Sequence, residues 1–250
     1  MSADTYLYGV LAKYTVNEVG AKAQVQAVYP VIQKWAGSYL LEAIYSGSIA
    51  KGTAVSLATD ADVFISLSST TPDPLADIYA TLYNALTQAG YQARRQNVSI
   101  GVTGGGYQID FVPGKRQSQY GYDHSVYKNK TGTWAKTNVK THVSHVSASS
   151  RLSEIRLTKI WRSLQGLEFP SFYLELAVID CLTGSSTATL SDNFWKVLGF
   201  LASDFPSRPY TDPANTNNVI SDDLTSAEKQ AVKAAGLVAR AQKTWQSIVW

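Results

Sequence analysis

Apolar and polar positions change period several times along the chain, and each change marks an element. From Asn17 to Ala36, Val19, Ala23, Val25, Ala27, Val28, Val31, Ile32 and Trp35 cover too broad a face for a thin stripe. This spacing predicts a helix, with Pro30 as a kink and Gly37 as its stop. Tyr39 to Tyr45 reads as a short strand, and the run DADVFISL from Asp60 to Leu67 is a clearer one. Asp77 to Ala89 is helical and ends at Gly90. Asn97 to Thr103 and Tyr107 to Pro113 flank Gly104-Gly105-Gly106, a strong hairpin signal.

After a polar segment from Gly114 to Ser150 the character becomes helical: Arg151 to Gln165, Pro170 to Leu182 and Asp192 to Ala202. A Pro/Asn-rich loop covers 203–223, and a last helix opens at Thr225, with Glu228 at capping-box spacing, and continues to about Ser247. The expected class is α+β, with a sheet-bearing domain over 1–145 and a helical domain over 146–250, and no internal repeat.

Composition narrows the classes. Charged residues are 22 basic plus 19 acidic, 16% of 250, against roughly a quarter in an average globular chain. The 45% hydrophobic content excludes intrinsic disorder. One Cys and three His exclude a disulfide framework and a Cys-rich zinc site. No stretch reaches the ~20 apolar residues of a membrane span, and Met1 to Leu11 lacks the pattern of a signal peptide. A soluble, cytoplasmic protein is expected. The net charge is only +3, yet Ile78 to Ser153 holds nine basic residues (Arg94, Arg95, Lys115, Arg116, Lys128, Lys130, Lys136, Lys140, Arg151) against Asp110 and Asp123, a balance of 9 − 2 = +7. Such a stretch suits a polyanionic partner or is simply a solvated basic surface.

The segment richest in chemistry is Ser46-Gly47-Ser48-Ile49-Ala50-Lys51-Gly52-Thr53, followed by Asp60-Ala61-Asp62. Carboxylates at i and i+2 of a strand leave the same face, about 6.5–7 Å apart at Cβ. Partly buried, they repel unless cations neutralise them, and oxygen-loving Mg²⁺ is the usual cation. Asp110, flanked by Ile109 and Phe111, supplies a third acid if its strand pairs beside the first. Three carboxylates can hold two ions about 3.5–4 Å apart, while the glycines and hydroxyls of the earlier loop can approach phosphate. Together these point to phosphoryl or nucleotidyl transfer; strand-edge solubility is the alternative for Asp60 and Asp62. Two other likenesses fail: Gly52 stands where a P-loop needs Lys, and Gly101 to Gly106 lies between strands instead of opening a helix.

In the second half, Lys159 falls among Leu152, Ile155 and their apolar neighbours, where it either reaches an anion or snorkels outward. Pro170-Ser171 opens a helix, so Ser171 is either a cap or a phosphate ligand.

The set Gly47-Ser48, Gly52-Thr53, Asp60/Asp62 and Asp110 resembles the polymerase β-like nucleotidyltransferase superfamily, which includes CCA-adding enzymes, 2′-5′ oligoadenylate synthases, cyclic GMP-AMP synthase and bacterial CD-NTases. RLTKIWR followed by FPSFYLE is similar to the helical lobe of CD-NTases, and Asp212-Pro213-Ala214-Asn215 with Asn217-Asn218 resembles their late DPxNPxNN segment, Thr216 standing for the second proline. The resemblance implies a bilobed nucleotidyltransferase with a mixed β-sheet palm and a helical C-terminal lobe. It implies two Mg²⁺ ions, replaceable by Mn²⁺, on Asp60, Asp62 and Asp110, with Asp110 helping to deprotonate the attacking ribose hydroxyl. Nucleotide binding falls to Gly47, Ser48, Thr53, Lys159 and Ser171, and base stacking to Phe172 or Tyr173.

The implied substrates are nucleoside triphosphates (ATP, GTP, UTP or CTP), and the implied product is a cyclic or linear oligonucleotide signal for a downstream effector, in antiphage defence. Neither a membrane nor nucleic acid is required. No zinc-binding insertion of the DNA-sensing type is present, so activation by double-stranded DNA is not implied, and Trp250 is not the small terminal residue that partner enzymes conjugate in some CD-NTase systems. Two rival readings are nucleotide addition to an RNA 3′ end, using the basic stretch Arg94 to Lys140, and a catalytically silent nucleotide-binding scaffold.

Overall fold

A computed structural model describes residues 2–57, 60–186 and 189–250. It opens with a helix that the sequence pattern did not announce, α1 (Ala3–Lys13), whose Ser2 cap accepts the Thr5 N–H and whose buried face is the short stripe Leu7, Val10, Leu11. Helix α2 (Glu18–Ala36) runs through Pro30 and stops at Gly37, whose φ of +53° glycine adopts without strain. Then follow β1 (Leu40–Ser46), the short α3 (Gly47–Lys51), β2 (Asp60–Leu67) and α4 (Leu75–Gln88). Next come β3 (Gln92–Arg95), β4 (Ile100–Gly104) and β5 (Tyr107–Arg116). The β4–β5 turn holds Gly105 and Gly106 at φ +56° and +82°, the mirror-image turn that suits a twisted hairpin.

The polar segment 114–150 holds regular elements. It completes β5 and forms β6 (His124–Lys128), β7 (Thr133–Thr137) and α5 (Val139–Ser147). The remainder is α6 (Leu152–Leu164), α7 (Ser171–Cys181), α8 (Leu190–Ala202), a small ribbon β8 (Thr211–Asp212) and β9 (Asn215–Val219), and α9 (Ser226–Arg240). Helix α9 has the expected capping box but ends at Arg240, short of Ser247. No helix among the described residues is long and apolar enough to cross a membrane.

Contacts divide the chain into two units. One comprises Met1–Val16, Gly52–Ala58 and Ser144–Trp250, the other Asn17–Lys51 and Thr59–Val143. The second unit is built on the sheet β1-β2-β5-β4-β3, with β6 joined to β5 and β7 to β6. Strands β2 and β5 are parallel and the other pairs antiparallel. Ala61, Val63, Ile65 and Leu67 of β2 pack with Ile109 and Phe111 against Val25, Val28 and Ile32 of α2 and Ile78, Leu82 and Leu86 of α4. Strand alternation therefore turns Asp60, Asp62, Phe64 and Ser66 to the opposite face. Farther along that face Phe64 meets the His124 ring edge-on at 4.9 Å, and Ser66 Oγ lies 2.8 Å from His124 Nε2. Burial pushes the His124 pKa down, so the ring is neutral at pH 7.

The helical unit has its own core, in which Ile155, Ile160 and Trp161 of α6, Tyr173, Leu174 and Val178 of α7, and Phe194, Val197 and Leu198 of α8 are buried. Helix α1 belongs here: Asp4 accepts the Ser191 N–H at 2.8 Å, and the Tyr6 and Tyr14 hydroxyls donate to the Val249 and Trp250 carbonyls. Segment 52–57 belongs here too, through Val55, 1% exposed, and the Ser56 N–H donated to the Tyr14 carbonyl at 2.9 Å.

Candidate functional site

In the sheet unit the parallel register sets Asp62 directly beside Asp110, and Asp60 beside Gln108. On the other flank of β2, Ser46, the last residue of β1, lies opposite Asp62. The chain then turns at Gly47, with φ +59°. A Cβ there would stand 1.8 Å from Asp62 Oδ2, so the turn lies directly on the carboxylate and only glycine fits. Asp60 is exposed, while Asp62, Asp110, Gly47 and Ser48 are half-buried. Among the described residues no three Asp, Glu, His or Cys side chains are gathered as ready ligands of a single ion. What the structure assembles is an adjacent pair, Asp62 and Asp110, with Asp60 on the same face.

Asp110 carries the electrostatic signature of this face. Burial first, and the Asp60 charge second, push its pKa above the ordinary carboxylate value, against the Arg94 guanidinium and hydrogen bonds from Gln96 and Ser99 that pull it down. Gln96 Nε2 donates to Asp110 Oδ1 at 2.8 Å. Gly101, opposite Asp110 on β4, leaves the room: a Cβ there would meet Arg94 Nε and Gln96 Nε2, each at 2.7 Å. Gln96 was not foreseeable, since nothing in its sequence neighbourhood aims it at Asp110, whereas Arg94 could have been found within the basic stretch.

A carboxylate whose folded pKa is raised stabilises the fold only below its unfolded value, near 3.9, and loses that contribution as pH rises through the folded value. Without added metal, Asp110→Asn is therefore expected to raise Tm at pH 7, with the gain shrinking toward zero near pH 4. Thermal melts at both pH values check this; an unchanged Tm at pH 7 would contradict the strain assigned to Asp110.

The helical unit treats its expected site residues differently. Ser171 is exposed at the start of α7 and its Oγ accepts from Arg162 Nη1 at 3.1 Å. Phe172 is half-buried. Tyr173 is 0% exposed, with ring centroids 5.1 to 5.5 Å from Phe169, Phe205 and Tyr210. Burial pushes its phenol up to about 12. Sealed in this core, the Tyr173 ring shows no open face in this arrangement, whereas Phe172 lies nearer the surface.

Thr53 and Lys159 are sealed as well, at 0% and 2% exposure, and both bond Glu175. In this arrangement neither stands on an open surface. Asp212 is 3% exposed and accepts the Ala214 N–H at 2.8 Å and Asn218 Nδ2 at 3.3 Å, shaping its own β-ribbon.

The basic stretch is partly structural. Arg151 is buried and donates to the Leu182, Ser185 and Ser186 carbonyls, with Glu154 3.5 Å away. Arg116 and Lys140 lie 3.8 and 3.7 Å from Glu42, and Lys136 pairs with Asp123 at 3.3 Å.

An antiparallel β1 beside a parallel β2/β5 pair bearing the acids, together with a helical unit, is similar in fold to solved structures of bacterial CD-NTases. Among solved structures, E. coli MS115-1 CdnC with ATP superposes with a TM-score of 0.76 at 20% identity, covering 98% of this chain and 96% of that one. The Bradyrhizobium diazoefficiens CD-NTase CdnG in complex with GTP gives 0.77 at 13% identity, over 98% and 95%. A cyclic AMP-AMP-AMP synthase of Escherichia coli (strain MS 115-1) is 28% identical over 164 residues, 60% of this chain and 50% of that protein. The chain thus matches about half the length of this curated relative. No family profile matches the chain.

Proposed function

We propose that the protein is a nucleotidyltransferase that joins nucleoside triphosphates into a cyclic or linear oligonucleotide signal and releases pyrophosphate. The observation that carries the reading is the adjacency of Asp62 and Asp110 on parallel strands, with Asp60 on the same face and Gly47 against Asp62. The chemistry of these donors fits Mg²⁺ or Mn²⁺: they are hard carboxylate oxygens, and the like charge that raises the Asp110 pKa is what a cation would relieve. Asp60, Asp62 and Asp110 would hold the metal, which when bound would polarise the phosphate under attack and stabilise the leaving pyrophosphate. Gly47 and Ser48 present backbone and hydroxyl to the phosphates.

Asp110, held by Gln96, accepts the proton of the attacking ribose hydroxyl at a carboxylate oxygen. From the helical unit the reading draws on the Lys159 charge, on Ser171 and on Phe172 as the stacking ring. The sequence likeness to a cyclic AMP-AMP-AMP synthase supports oligonucleotide synthesis over RNA tailing, and ATP as a first substrate to test. A cytoplasmic site, a downstream effector and antiphage signalling belong to the same reading. The test is incubation with single NTPs and NTP pairs in Mg²⁺ or Mn²⁺, following pyrophosphate and nucleotide products together.

A further inference from the structure

Asp110 is held by a neutral donor although a cation stands beside it. The cross-strand register sets Arg94 of β3 opposite Gly101 of β4, and Gly101 opposite Asp110. Asp110 feels the Arg94 charge, yet Arg94 Nη2 donates to Gln108 Oε1 at 2.5 Å. The bond to Asp110 Oδ1 comes instead from Gln96 Nε2, at 2.8 Å. A guanidinium paired with Asp110 would cancel the charge that attracts a divalent cation, whereas an amide fixes the carboxylate and leaves that charge in place.

Gln96 is itself fixed from several sides, all within the sheet unit. It follows β3 in the turn before β4, and its N–H donates to the Ser99 carbonyl at 3.0 Å. Tyr79 of α4, 1% exposed, donates its hydroxyl to the Gln96 carbonyl at 2.7 Å, with the Ser99 carbonyl 3.1 Å away. On the far side of the turn Asn97 accepts the Asn129 and Lys130 N–H groups, at 2.7 and 3.2 Å. The side chain is oriented as well. Ser99 Oγ, 4% exposed and within reach of Asp110 too, donates to Gln96 Oε1 at 3.2 Å, so Nε2 is the end that faces the acid. A carboxylate only accepts, and the reverse amide orientation would set oxygen against oxygen. The room comes from Gly101, where a Cβ would stand 2.7 Å from Gln96 Nε2.

We propose that Gln96 is a positioning residue: its amide holds Asp110 in one rotation beside Asp62, without neutralising it, in readiness for a divalent cation. The inference rests on the nucleotidyl-transfer reading, in which Asp110 is a metal-holding acid.

The test compares the parent with Gln96→Met, Gln96→Ala and Asn97→Ala. It measures the Mn²⁺ Kd by electron paramagnetic resonance, with and without an ATP analogue whose α–β methylene bridge prevents transfer, then KM and kcat for pyrophosphate release, and Tm. Gln96→Met keeps the length of the side chain and removes the donor. It is expected to raise the Mn²⁺ Kd and lower kcat by ~10-fold each, the low end of the cost of losing a hydrogen-bond partner of a metal-holding side chain, with KM for ATP changed less. Asn97→Ala loosens the same turn without removing the bond to Asp110, and should lower Tm while Kd and kcat stay parental. A parental Kd in Gln96→Met, or equal losses in Asn97→Ala, overturns the proposal.

If Gln96→Met does not fold, Gln96→Ala decides by the same readings; if neither folds, the glutamine is structural and the proposal is overturned. A parent that holds Mn²⁺ but releases no pyrophosphate overturns the transfer reading, while the Kd comparison still decides the part given to Gln96. A parent that does neither overturns both. An active parent matched by its Gln96 variants overturns this inference alone.

Discussion

Asp62→Ala is expected to reduce Mg²⁺-dependent pyrophosphate release from NTPs to background. Asp62 is the central acid of the site: beside Asp110 in the sheet, two residues from Asp60 on the same face, and under the Gly47 turn. Losing a metal-holding carboxylate removes several kcal/mol of transition-state stabilisation, ~10³-fold or more in rate. The fold should survive, because Asp62 projects away from the core in which Ala61 and Val63 are buried. Circular dichroism unchanged beside lost turnover is the expected pair of results. Near-parental turnover in Asp62→Ala would remove the metal assignment.

Gly47→Val is expected to have the second largest effect, by a different route. At φ +59° any side chain is strained, and here the added Cβ would fall 1.8 Å from Asp62 Oδ2. Either the turn or the carboxylate must move, and displacement of about 1 Å at a reacting centre can cost ~10²-fold in rate. Gly90→Val provides the contrast: its φ is +88°, but nothing lies within 4 Å of the added Cβ. It should lower Tm modestly and leave turnover at the parental level. Steady-state pyrophosphate release on both variants separates crowding of Asp62 from backbone strain; equal turnover in the two would contradict the role given to the Gly47 turn.

The elements legible in the sequence were those with a strong period. DADVFISL sets Ala61, Val63, Ile65 and Leu67 two apart, and the structure buries these positions against helices while its acids face away. The triple glycine also gave the β4–β5 hairpin. Elements held by pairing instead of pattern escaped. Strands β6 and β7 carry exposed Trp134 and polar neighbours, and their pairing to β5 and to each other defines them. Helix α1 has only three buried apolar residues and is tied down by contacts far along the chain. At the other end the apolar rhythm after Arg240 serves the core through Ile248 and Val249 and does not extend α9.

The site divided along the same line. Acids two apart on a strand share a face by geometry, so Asp60 and Asp62 could be read together, but the register bringing Asp110 beside Asp62 is a long-range fact. FPSFYLELAVI spreads its apolar residues around the helix, so its period does not tell which aromatic faces out; packing against Phe169, Phe205 and Tyr210 buries Tyr173 and leaves Phe172 at the edge. The link from Thr53 and Lys159 to Glu175 joins residues up to 122 positions apart, which no local spacing signals.

The most direct test of the central claim is product mass after incubation with ATP alone and with each pair of NTPs in Mg²⁺ or Mn²⁺, without added nucleic acid. Nucleotidyl transfer into a signal predicts cyclic or linear oligonucleotides of defined length, accompanied by pyrophosphate and absent with Asp62→Ala. Extension of an added RNA 3′ end with no such product, or intact NTPs under every condition, would contradict it.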